Sequence, residues 1–123
     1  MSRILIVEDE PDQARSMQLI LEDRGYETEI AKSVDEAMDK LKKKKPDLIL
    51  LDIIMPVKLG SELLKLVSED LSLKRIPVIV VTIVSPVVGV EADMRKIRRD
   101  IGFINKPFTR EQLLSEINKK LKL

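Results

Sequence analysis

The chain has 123 residues, the usual size of one domain and enough for one substantial core. Lys and Arg number 22 against 21 Asp and Glu, a net charge of +1 that shows no general bias toward nucleic acid or membrane, and 2% aromatics leave no stacking platform for single strands. With neither cysteine nor histidine, disulfides, thiolate metal sites and Ser-His or Cys-His nucleophiles are excluded.

The N-terminus enters directly into Arg3-Ile4-Leu5-Ile6-Val7 without the pattern of a secretory signal, so a soluble cytoplasmic protein is expected. Ile4–Val7 reads as a strand covered on both faces, and Glu8-Asp9-Glu10 follows it. Ala14, Met17, Leu21 and Gly25 share one helical face, with Gly25 as terminator. Tyr26–Ile30 alternates, with Glu27 and Glu29 opposite Tyr26, Thr28 and Ile30, which suits an edge strand. Val34, Ala37, Met38 and Leu41 form the next helical face, introduced by a Ser33/Glu36 capping box. The lysines at 42–45 satisfy a helix C-terminus more simply than they bind nucleic acid.

Leu48–Leu51 is another doubly covered strand, ending at Asp52. Leu63, Leu64, Val67 and Leu71 define a third helix before Pro77, and Val78–Thr82 a fourth strand. The apolar stretch from Ile76 to Val90 is broken by Pro77, Thr82, Ser85, Pro86 and Gly89 and is too short to span a bilayer. Its Val87-Val88-Gly89-Val90 portion suits either a docking patch or burial within the domain. Met94 and Ile97 suggest a helix between Glu91 and Arg99, and Ile101–Asn105 a fifth strand, ending at Lys106-Pro107. Leu113, Leu114, Ile117 and Leu121 form the last helix, with Thr109 and Gln112 as its capping box.

Strand and helix alternate five times, which predicts an α/β fold: a doubly wound, five-stranded parallel sheet between two layers of helices. The whole chain, 1–123, reads as one domain. In such folds the working site lies beyond the carboxyl ends of the strands. In the flavodoxin-like order 2-1-3-4-5 the first and third strands are neighbours, roughly 5 Å apart, so Glu8, Asp9 and Asp52 are expected to converge. Clustered carboxylates repel unless a cation joins them, and oxygen ligands with open positions suit Mg²⁺, with Mn²⁺ as a substitute. Lys106 and Thr82 at the same rim complete a site for a phosphoryl group, with a carboxylate as nucleophile. Taken alone, Glu8-Asp9 is equally an acid cluster at a helix N-terminus, and Thr82 an ordinary strand threonine.

Ile4-Leu5-Ile6-Val7-Glu8-Asp9-Glu10, Asp52-Ile53-Ile54-Met55-Pro56-Val57-Lys58-Leu59-Gly60, Val80-Val81-Thr82 and Asn105-Lys106-Pro107-Phe108 together resemble the response-regulator receiver domain of two-component signalling. The resemblance covers essentially the full chain. It implies that Asp52 is the phosphoacceptor, that Asp9 and the backbone carbonyl of Ile54 contact Mg²⁺ directly, and that Glu8 assists. It further implies that Thr82 and Lys106 sense the phosphoryl group, that Phe103 is the switch aromatic and that the Lys106-Pro107 bond is cis. The expected donor is a sensor histidine kinase or phosphotransfer protein, and the expected output is an unidentified protein bound around the fourth helix, fifth strand and fifth helix. No direct nucleic-acid contact, membrane insertion or metabolic turnover is expected.

Several residues depart from the family pattern. Ile83 stands where a small residue is usual and crowds access for small phosphodonors, and Leu59 precedes Gly60 where a polar residue is commoner. Phe103 lacks the hydroxyl of a tyrosine switch. Ile54 and Val84 offer no hydrogen bond to an attacking water, which predicts slow self-dephosphorylation. A receiver-like interaction module that binds without phosphate is the alternative, supported by Ile83 and the irregular stretch before Arg99. A phosphohydrolase of the haloacid-dehalogenase kind fits less well, because Ile53-Ile54 follows Asp52 and there is no room for a cap domain. No output domain follows Leu123, so a stand-alone receiver and a fragment of a larger regulator both remain open.

Overall fold

The computed structural model describes residues 2–52, 57–83 and 90–121, with the side chains of 57–59, 82–83 and 90–93 outside that description. Five strands and five helices alternate along it: β1 (Arg3–Val7), α1 (Pro11–Asp23), β2 (Glu27–Ala31), α2 (Val34–Lys43), β3 (Leu48–Asp52), α3 (Val57–Glu69), β4 (Val78–Ile83), α4 (Val90–Ile97), β5 (Gly102–Lys106) and α5 (Arg110–Leu121). The strands form one parallel sheet in the order β2-β1-β3-β4-β5, as the alternation predicts.

The continuous apolar runs in β1, β3 and β4 follow from burial on both faces. Leu5, Val7, Ile49, Leu51, Val78 and Val80 join one core cluster with Ala37, Leu41, Leu64, Val67 and Met94 of α2, α3 and α4. Ile4, Ile6, Leu48, Leu50, Ile79 and Val81 join the other with Met17, Leu21, Leu113 and Ile117 of α1 and α5. Strand side chains alternate between faces, so neighbouring residues enter opposite cores. Register then sets where each strand ends: Val7 lies opposite Leu51, Asp52 opposite Val81, and Ile83 opposite Lys106.

The helix ends explain two boundary differences from the sequence reading. β2 begins at Glu27 instead of Tyr26, because the Tyr26 N–H donates to the Leu21 carbonyl (3.1 Å) and so belongs to the turn closing α1. Gly25, at φ 91°, makes that turn possible. β5 begins at Gly102 instead of Ile101, whose carbonyl accepts from Arg95 Nη1 (3.2 Å). Thr109 and Gln112 exchange hydrogen bonds as a reciprocal capping box (2.8 and 3.0 Å). Ser33 Oγ caps α2 from the Glu36 N–H (3.1 Å), but the Glu36 carboxylate reaches back to Lys32 N (3.2 Å), one residue before the cap.

The apolar face expected for the third helix is corrected at one position. Leu63, Leu64 and Val67 are buried, but Leu71 is 82% exposed. α3 stops at Glu69, and the Asp70 carboxylate accepts from both Ser72 N (2.8 Å) and Ser72 Oγ (2.7 Å), which turns the chain out of helical register. Leu73 and Ile76 close the core there instead. Among the described residues, no helix is long and apolar enough to cross a membrane.

Candidate functional site

The carboxyl ends of β1, β3 and β5 bring Glu8, Asp52 and Lys106 together. Glu8 and Asp52 are both fully buried, although each ends an apolar run. Backbone bonding fixes Glu8, whose N–H donates to the Ala31 carbonyl of β2 (2.9 Å). Lys106 Nζ donates to Asp52 Oδ2 and to Gln13 Oε1, and it lies 3.6 Å from Glu8 Oε1. Its side chain is only 15% exposed, so the ammonium is itself largely withdrawn from water.

Two buried acids against one cation leave negative charge in excess, and Glu8 carries the consequence. Burial, a hydrogen bond that the protonated carboxyl donates to Asp52, and charge repulsion from Asp52 push its carboxyl from 4.5 up to about 8. The Glu10 N–H, which donates to Glu8 Oε2 (3.3 Å), and the Lys106 charge oppose that rise. Glu8 Oε1 is buried and receives no hydrogen bond from the described residues. An oxygen-only pair with an orphaned buried oxygen fits a hard divalent cation, which relieves both the repulsion and the unmet acceptor.

Asp9 stands apart from the pair. Its side chain is exposed at the end of β1, and among the described residues no three acidic side chains are grouped closely enough to hold a metal ion. The convergence expected for Glu8, Asp9 and Asp52 is therefore reached by Glu8 and Asp52. Thr82 lies on β4 one residue beyond Val81, the register partner of Asp52, but its side chain, like that of Ile83, is outside the described residues. Ile54, Val84 and the 87–89 stretch also lie outside them.

Phe103, three residues before Lys106 on β5, is partly buried against the core beneath α4. The Arg95 guanidinium lies 4.9 Å from its ring centroid and also donates to the carbonyls of Arg99 (3.1 Å) and Ile101 (3.2 Å). The Lys106-Pro107 peptide bond is cis.

Sequence reasoning passed over Gln13 and Arg95. Gln13 occupies the first turn of α1, which Glu10 caps by accepting from Asp12 N (3.2 Å) and Gln13 N (2.8 Å). The signal available was positional, since a helix that starts three residues after a buried acid at the sheet's carboxyl rim delivers its first-turn side chains to that rim. Arg95 left no such signal, because its partners depend on how the chain returns from α4 to β5.

Comparison with known proteins bears on the family and the fold. The model of the response regulator receiver domain family matches residues 4–118. Protein PilH of Pseudomonas aeruginosa is 32% identical over 118 residues, covering 96% of each chain. The polar-differentiation response regulator DivK of Brucella ovis is 33% identical over 120 residues, covering 96% of this chain and 94% of its own. Among solved structures, a CheY-like receiver domain protein from Methanospirillum hungatei superposes with a TM-score of 0.87 at 31% identity, covering 99% of this chain and 94% of that one. The chain belongs to the response regulator receiver domain family of two-component signalling.

Proposed function

We propose that this receiver accepts a phosphoryl group on Asp52 and signals through the altered site. The observation that carries the reading is the buried Asp52 carboxylate at the end of β3, bonded to Lys106 and pressed against Glu8. A carboxylate placed there for stability alone gains nothing from a second buried acid, whereas a phosphoryl acceptor needs both a cation site and a positive side chain beside it.

In the proposed reaction an Asp52 oxygen attacks the phosphorus of a phosphohistidine on a sensor kinase or phosphotransfer protein. The new O–P bond forms as the N–P bond breaks, and the leaving imidazole nitrogen keeps the electron pair and takes a proton from solvent. Glu8 and Asp52 are the buried side chains that would hold Mg²⁺, and the family resemblance adds Asp9 and the Ile54 carbonyl. When bound, the cation supplies positive charge shared between carboxylate and phosphoryl oxygens. Lys106 neutralises a further phosphoryl oxygen, and Thr82 is assigned the donor role on β4. The added charge then biases the α4-β5-α5 surface, where Arg95 and Phe103 meet, toward a protein partner. With Ile54 and Val84 offering no hydrogen bond to water, the aspartyl phosphate is expected to decay slowly.

The test is transfer of radiolabelled phosphate from a phosphorylated histidine phosphotransfer domain, with and without Mg²⁺. Label should appear on the wild type only with the cation, should be released by hydroxylamine, and should be absent from Asp52→Asn. Labelling of Asp52→Asn equal to wild type overturns the assignment.

A further inference from the structure

We infer that Gln13 is a positioning residue for Lys106: a neutral acceptor that holds the ammonium at the site while leaving it free to move onto a phosphoryl group. The inference rests on the phosphoacceptor reading of Asp52.

Among the described residues Lys106 Nζ has two hydrogen-bond acceptors, Asp52 Oδ2 and Gln13 Oε1. Asp52 belongs to β3 and Gln13 to α1, so the ammonium ties helix to sheet. The Gln13 backbone is held independently, because its N–H donates to the Glu10 carboxylate (2.8 Å). An ordinary first-turn glutamine serves the helix end or solvent. Here the Glu10 side chain already caps the turn, and the Gln13 amide is spent on Lys106 instead.

The neutrality of that amide is what matters. Once Asp52 carries a phosphoryl group, its charge moves outward to the phosphoryl oxygens and Lys106 must follow. A bond from an ammonium to an amide oxygen sets direction but is weaker than one to a carboxylate. Asp52 and Glu8 already place two carboxyl groups beside Lys106. A third acid at position 13 would hold the ammonium back, and an apolar side chain would leave it tied to Asp52 alone.

The probe is beryllofluoride with Mg²⁺, titrated by calorimetry, alongside NMR of the Lys106 ammonium in the unliganded protein. Two substitutions are compared, so that a folding defect in one leaves the other to decide. Gln13→Glu should weaken beryllofluoride binding about tenfold while keeping the ammonium signal sharp. Gln13→Met, of similar length, should broaden that signal by exposing the ammonium to exchange and should change binding less. Wild-type affinity in Gln13→Glu together with an unchanged signal in Gln13→Met overturns the inference. Failure of the wild type to bind, or binding by Asp52→Asn, instead overturns the phosphoacceptor reading.

Discussion

Lys106 at the end of β5 donates to Asp52 at the end of β3, across the intervening strand β4 and across a separation of 54 residues. Asp52 is fully buried and Lys106 largely so, and the second acid, Glu8, lies 3.6 Å from the same ammonium. Its two acids and one ammonium balance only while Glu8 holds a proton, so the stability and the chemistry of the site are linked through one cation.

Removing either partner should therefore have opposite effects. Lys106→Met leaves two buried acids without their cation and should cost about 3 kcal/mol at neutral pH in urea denaturation. Asp52→Asn removes the charge that adds to burial in raising the Glu8 carboxyl and should stabilise the metal-free protein by about 1 kcal/mol. Equal destabilisation by both would contradict an excess of negative charge at the site.

The same excess predicts an unusual pH dependence. Because the folded Glu8 carboxyl is raised from 4.5 to about 8, the native state binds more protons than the unfolded chain between those values. The Glu8 contribution to stability is therefore fully present below pH 4.5 and is lost as pH rises through 8. Denaturation midpoints followed across this range in wild type and Glu8→Gln should show the decline flattened in the variant. Saturating Mg²⁺ should stabilise the wild type more at pH 8 than at pH 5, since proton and cation compete for one pair of acids.

At the end of α3 the correction to the apolar face is directly measurable. Leu71→Asp should change stability by less than about 0.5 kcal/mol, because that side chain is exposed. Leu73→Ala, two residues on and fully buried, should cost about 3 kcal/mol. The helical spacing alone predicts the reverse ranking.

Gly25→Ala tests the turn that closes α1. No atom lies within 4 Å of a Cβ built there, so crowding contributes nothing. The cost should come from the left-handed φ of 91° and amount to about 1 kcal/mol by thermal or chemical denaturation. Gly25→Asn, which tolerates that conformation better, should recover part of it.

Fold and site were legible in different degrees. The doubly wound parallel sheet followed from alternating strand and helix with doubly apolar β1, β3 and β4, because those patterns reflect burial, which is local in its demands on side-chain type. Asp52, Glu8 and Lys106 stood out because each is a charge placed where an apolar run stops. Leu71 misled because its spacing is helical, and only the Asp70–Ser72 turn shows that the helix has already ended.

What the chain alone determined is therefore the architecture and the chemical types at its working rim, since both are written in periodicity and in the residues that break it. What tertiary structure decided is the allocation of charge. Glu8 and Asp52 share burial while Asp9 faces solvent, Gln13 takes the second bond of Lys106, and Arg95 covers Phe103. Those assignments depend on register and on the angles at which α1 and α4 meet the sheet. Neighbours in space settle them, because hydrogen bonding and desolvation act over a few ångströms irrespective of distance along the chain.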